Sequence, residues 1–196
     1  MLLAVKTKVL LTKVLIHLTV IWALIYLYWA AAEDMLGADP VAAVIHFTGI
    51  GALNLLLLTL AVSPLAKWFK QGWLLRVRRL LGLYCFFYGF IHVMNFFVFD
   101  LQLNVKLLLN EIIKRPYITI GMFALLLLTT LAITSIAGIR RKMGAKWQTL
   151  HNSIYLIVLL VVWHFYWSVK ADVTEAVVYL LISVLLLAFR RKKQLW

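Results

Sequence analysis

Apolar residues run in six long blocks along this chain, at roughly Val9–Ala31, Val41–Val62, Leu80–Phe99, Tyr117–Ile139, Leu150–Val169 and Thr174–Phe189, with charged residues gathered between them. Most blocks approach the ~20 residues a helix needs to cross ~30 Å of hydrocarbon. The pattern predicts an all-α membrane protein, a bundle of six transmembrane helices, in a single domain over residues 1–196. The sixth block is short and fits a helix with little tilt or one at the bundle edge. The first is too long for a removable signal peptide, has no small-residue cleavage site, and reads as a retained span. No sequence repeat, low-complexity segment or separate soluble domain stands out.

Breakers punctuate the blocks. Gly37-Ala38-Asp39-Pro40 ends one loop and predicts an N-cap at Asp39 with Pro40 at the first helical position. Ser63-Pro64 is expected to close the second helix, and Arg115-Pro116 to open the fourth. The first outer loop, Glu33 to Asp39, and the third, Asp100 to Arg115, are short. Both suit docking of a partner and equally suit ordinary solvated loops.

Charge fixes the orientation. The N-terminus carries Lys6, Lys8 and Lys13. The second loop carries Lys67, Lys70, Arg76, Arg78 and Arg79. The fourth carries Arg140, Arg141, Lys142 and Lys146, and the tail Arg190, Arg191, Lys192 and Lys193. These are sixteen of the twenty basic residues, on one side of a six-span arrangement. Lys106, Lys114, Arg115 and Lys170 fall opposite, with all seven acidic residues. The positive-inside rule then places both termini in the cytoplasm. The net charge of +13 is thus accounted for by topology and anionic lipid rather than nucleic acid, and the 65% hydrophobic composition and mean hydropathy of +0.97 agree. Cys85, the single cysteine, reads as a small buried hydrophobe.

Candidate chemistry lies in the histidines. An ionisable side chain is costly in lipid, so it usually faces the bundle interior and marks a function. A rise of ~1.5 Å per residue places His92 about 12 Å, His164 about 9 Å and His46 about 10 Å below the outer edge. His151 and His17 fall within about 8 Å of the inner edge. Two imidazoles at one depth on neighbouring helices suit a haem clamp, so His92 and His164 are the candidate iron ligands. His151 lies about 20 Å along the axis from His164 and suits a second, inner centre. An ideal helix would leave those two imidazoles about 140° apart, so they face the same neighbour only if the helix tilts, twists or is distorted. His17 has the depth of an inner partner, whereas the third helix offers only Arg78 and Arg79 there. His46 and His17 otherwise read as structural, the alternative for His46 being support of haem propionates or a quinone. Trp163 and Trp167 flank His164, and an interfacial belt explains most of the tryptophans.

Other chemistries are missing from the pattern. No Gly-rich dinucleotide fingerprint or P-loop is present. No acidic residue sits mid-membrane for a proton relay, and no Ser or Thr has a base beside it. No catalytic residues are assigned.

The motifs carry a resemblance. Leu36-Gly-Ala-Asp-Pro40, His46-Phe-Thr-Gly49, Ser63-Pro-Leu-Ala66, Arg78-Arg-Leu-Leu-Gly-Leu83, Arg115-Pro-Tyr117, Trp147-Gln-Thr-Leu-His-Asn152, Tyr155-Leu156 and Trp167-Ser-Val-Lys170 run nearly end to end. The chain resembles the MsrQ (YedZ) family, haem-binding membrane subunits of the bacterial periplasmic methionine-sulfoxide reductase system. Its wider kinship is with the ferric-reductase-like transmembrane domain, whose members clamp two stacked haems with two histidines on each of two helices. Here the fifth helix keeps both, His151 and His164, and the third keeps His92 alone.

The resemblance implies a haem b electron-transfer subunit of the bacterial inner membrane, with one or two haems. Its expected donor is quinol, or alternatively a flavin reductase. Its expected acceptor is a periplasmic molybdenum-cofactor methionine-sulfoxide reductase that repairs oxidised envelope proteins. FMN also belongs to the family's cofactors, although no residue pattern here places it. Two other classes compete: a stand-alone ferric or quinone reductase cytochrome, and a non-redox transporter or assembly factor with structural histidines.

Overall fold

The computed structural model describes residues 2–169 and 172–191, without the side chains of Leu2, Arg190 and Arg191. Lys170, Lys192 and Lys193, counted above in the charge asymmetry, lie outside the described residues. Among the described residues every regular element is helical: α1 (Leu2–Ala32), α2 (Pro40–Trp68), α3 (Arg78–Asn95), α4 (Val105–Lys114), α5 (Pro116–Thr134), α6 (Ala137–Met143), α7 (Ala145–His151), α8 (Ile154–Ser168) and α9 (Thr174–Arg191). A 3₁₀ turn, Gly72–Arg76, precedes α3, and a π-helical segment, Phe96–Asp100, continues it.

Among the described residues five stretches are long and apolar enough to cross a membrane: Leu3–Ala32, Pro40–Trp68, Arg78–Asp100, Pro116–Thr134 and Ala145–Ser168. The sixth expected span does form a helix, but its apolar part, Thr174–Phe189, falls below the same length. The multi-pass membrane character expected from the sequence therefore stands, with five qualifying spans among the described residues.

Capping chemistry sets several boundaries as expected. Asp39 Oδ1 accepts from Ala42 N at 2.9 Å, and Pro40 opens α2. Asn104 Oδ1 does the same for α4, accepting from Leu107 N at 3.1 Å. Pro116 opens α5 after the extended Arg115, whose Nε pairs with Glu111 Oε2 at 2.6 Å. The α1 helix ends with Asp34 at φ 55° and a bond from Met35 N to Ala30 O. Ahead of α9, the Thr174 side chain and Thr174 N, the latter at 2.8 Å, both hydrogen-bond the Asp172 carboxylate, and this bonding holds the group below its ordinary carboxylate value.

Other boundaries differ from expectation. Ser63-Pro64 does not close α2; the helix continues to Trp68 with Pro64 inside it. A proline removes a single backbone donor, and transmembrane helices tolerate this where neighbouring groups re-satisfy the backbone. The real stop is Lys70 at φ 54°, where Gln71 N reaches back to Ala66 O and Lys70 N to Lys67 O. The fourth span ends at Thr134 rather than Ile139, because Ile136 is extended. Thr134 and Ser135 both turn their hydroxyls back onto carbonyls of the preceding turn. The fifth span starts at Ala145, ahead of the expected Leu150, and is broken at Asn152-Ser153. The third outer loop is not irregular: it carries α4, whose Val105, Leu107, Leu109 and Ile113 are exposed.

The chain forms two compact units, residues 1–103 and 104–196. In the first, α2 packs along α3, with Leu53, Leu56, Leu60 and Cys85 fully buried. In the second, α5 packs along α8, with Ile157 and Val158 fully buried. Cys85 is a buried free thiol, as its apolar setting suggests.

Candidate functional site

Each unit builds a socket for one of the two candidate iron ligands, His92 and His164. In the first unit, His92 projects from α3 toward α2, and its Nδ1 lies 2.9 Å from the Ile45 carbonyl. In the second, His164 projects from α8 toward α5, and its Nδ1 lies 2.7 Å from the Tyr117 carbonyl. A carbonyl oxygen only accepts, so Nδ1 is the protonated nitrogen in both rings. In the neutral imidazole this leaves the lone pair on Nε2, the tautomer a metal ligand needs. Both imidazoles are half-buried.

The sockets repeat in detail. In both, 47 residues separate the acceptor from the histidine. One helical turn after each acceptor stands a glycine whose missing Cβ makes room for the ring. A Cβ at Gly49 would lie 3.0 Å from both Cε1 and Nδ1 of His92. At Gly121 it would lie 2.8 Å from Nδ1 and 2.9 Å from Cε1 of His164. Ile45, Gly49 and His92 each precede Tyr117, Gly121 and His164 by 72 positions. The same shift carries Arg79 onto His151. The chain has no repeat legible as sequence, yet its local geometry repeats.

His92 has further polar company. One helical turn on, the buried Asn95 accepts from Tyr28 Oη of α1 at 2.8 Å. Its Nδ2 donates to the buried Thr48 of α2 at 3.4 Å. Tyr88 also spans helices: its ring lies against Gly51, where a Cβ would meet it at 2.5 Å, and its hydroxyl donates to Val20 O at 2.6 Å. Sequence reasoning passed over these residues. An asparagine inside the apolar run Val93-Met94-Asn95-Phe96 was an available signal for the first network.

His151 is held differently. It ends α7, stacks on Trp147 with centroids 4.0 Å apart, and its Nε2 lies 3.1 Å from Thr134 Oγ1. That hydroxyl already donates to Thr130 O at 2.7 Å, so it accepts from an Nε2–H. Trp147 Nε1 donates to Thr134 O, and the Arg140 guanidinium lies 4.4 Å over the Trp147 ring. The break at Asn152-Ser153 supplies the distortion that a continuous helix through His151 and His164 would lack.

The remaining candidates lie on exposed faces. His17 is on α1, with Nδ1 bonded to the Tyr84 hydroxyl and the two rings edge-on at 5.4 Å. His46 follows the acceptor Ile45 on α2 and points to its exposed side. Trp163 and Trp167 flank His164 as an exposed edge-to-face pair with centroids 6.0 Å apart.

Known proteins repeat this chain at length. The family described as ferric reductase like transmembrane component matches residues 47–162. A protein-methionine-sulfoxide reductase heme-binding subunit, MsrQ, of Klebsiella pneumoniae is 46% identical over 182 residues, covering 92% of this chain and 90% of its own. The chain belongs to the MsrQ family. The Cronobacter sakazakii MsrQ is 45% identical over 92% of this chain and 91% of its own length. That of Salmonella enteritidis is 44% identical over 94% of each. No solved structure matches.

Proposed function

We propose that this chain is a membrane electron-transfer subunit that binds haem b through Nε2 of His92 and of His164. The observation that carries the reading is the doubled socket, which sets both imidazoles in the iron-binding tautomer. A b haem held there supplies a one-electron carrier inside the membrane. The chain's own groups do the tuning: each Nδ1–H···O=C bond orients its ring and raises the basicity of Nε2. The names of the MsrQ relatives support haem binding and service to a methionine-sulfoxide reductase.

In this reading the whole chain works as one haem domain in the bacterial inner membrane, both termini cytoplasmic. It accepts electrons from quinol, or from a flavin reductase, and delivers them to a periplasmic molybdenum-cofactor partner. His151 is the candidate for an inner centre, and ligation through its Nε2 requires Thr134 to release that nitrogen. His46 and His17 are supporting residues. FMN has no assigned place.

The deciding experiment is a visible spectrum of detergent-purified protein, oxidised and dithionite-reduced, with a pyridine haemochrome count per chain. A Soret band with sharp reduced α and β bands is expected. Colourless protein from haem-replete cells would overturn the reading. Turnover on ferric iron or oxygen without a partner would move it to a stand-alone reductase.

A further inference from the structure

We propose that Gly49 and Gly121 are paired positioning residues for the imidazoles of His92 and His164, rather than points of close helix packing alone. The inference rests on the ligand assignment of His92 and His164 made above. At each site the atoms that a Cβ would strike are Nδ1 and Cε1 of the histidine. These are the ring edge that donates to the backbone carbonyl and the atom between the two nitrogens. The ring therefore lies edge-on in the gap left by the missing side chain, one turn past the carbonyl that takes its proton.

Two constraints act on each ring together. The Ile45 or Tyr117 carbonyl sets which nitrogen carries the proton. The glycine sets how far the ring can sink toward the helix, and so the plane it adopts about the Nε2 direction. An added methyl at 2.8–3.0 Å from the ring atoms must push the imidazole outward, because the obstructing Cβ belongs to a helix backbone that cannot swing aside. Displacement lengthens the bond to the carbonyl, weakens the donation that enriches Nε2, and turns the ring plane. Identical placement of carbonyl, glycine and histidine in both units argues that the gap serves the histidine. Elsewhere glycine does other work: Gly51 admits Tyr88, and Gly138 has nothing within 4 Å of its added Cβ.

The test uses full-length, haem-loaded protein in detergent. Gly49→Ala and Gly121→Ala are compared with the parent and with Gly138→Ala by electron paramagnetic resonance and redox titration. Each socket variant is expected to lose low-spin signal or show shifted g values, with a raised midpoint potential, while Gly138→Ala matches the parent. To separate positioning from folding, each is combined with removal of its histidine, as Gly49→Ala with His92→Gly and Gly121→Ala with His164→Gly, and given free imidazole. A free ligand needs no socket, so low-spin haem should return to the level imidazole gives the single His→Gly variant. Parental g values and potential in both glycine variants would overturn the proposal. So would double variants that stay without low-spin haem where the single His→Gly variants recover it. A low-spin signal left undiminished by His92→Gly or His164→Gly without imidazole would instead remove the ligand assignment itself.

Discussion

The Ile45 carbonyl takes the Nδ1 proton of His92, and Tyr117 takes that of His164 in the same way, 47 residues apart in each case. Both rings thereby keep Nδ1 protonated and, when neutral, leave the lone pair on Nε2.

Replacing either ring should remove the centre it serves. His92→Ala and His164→Ala are each expected to lose nearly all of the sharp reduced α and β bands of the outer haem. Full haem content in both variants, by pyridine haemochrome, would sink the assignment.

His151 should behave otherwise, since its Nε2–H is held by Thr134. His151→Ala is expected to keep the outer haem spectrum while slowing its reduction by donor in stopped-flow mixing. Loss of all haem would instead put His151 on the same iron. Thr134→Val leaves that N–H without its acceptor, and should lower stability by about 1 kcal/mol, the low end for an unmet polar group, because the ring is half-buried.

Asn95 ties α1, α2 and α3 together through Tyr28 and Thr48. Interhelical hydrogen bonds in membranes average about 0.6 kcal/mol and reach about 1.7. Asn95→Leu removes two, so thermal unfolding in detergent should report a loss of about 1–2 kcal/mol. An unchanged midpoint temperature would show that the network contributes no net stability.

Gly144 joins α6 to α7 at φ 53° and ψ −130°, a backbone region that side-chain-bearing residues avoid. Gly144→Ala should cost about 1–3 kcal/mol and disturb the Trp147–His151 stack. Gly138→Ala, inside α6 with open space around it, should be neutral or stabilise by up to about 1 kcal/mol. The pair is checked by thermal unfolding and tryptophan fluorescence, and equal behaviour of the two variants would contradict the backbone argument.

Much of the fold was legible because bilayers reward simple patterns. Long apolar blocks gave the helices, and Asp39-Pro40 and Arg115-Pro116 gave true starts because caps act locally. Pro64 misled, since its usual meaning as a stop depends on water being available to the freed backbone. Ser135-Ile136 was hidden inside an unbroken apolar run, where only hydroxyls turned back on the helix mark the end. His92 and His164 stood out as ionisable groups in lipid. Their partners did not: every residue has a carbonyl, so Ile45 and Tyr117 carry no signal, and Gly49 and Gly121 become meaningful only once an imidazole is seen against them. The helix α4 lay in a segment too short and too mixed to resemble a span.

The 72-position correspondence between the halves holds at the sockets and fails at the other end, where Arg79 in one half answers to His151 in the other. A guanidinium stays cationic at any physiological pH, whereas an imidazole can give up its proton and offer a lone pair. The second unit therefore carries, in addition to its socket, one more side chain able to bind a metal, where the first carries a cation that cannot.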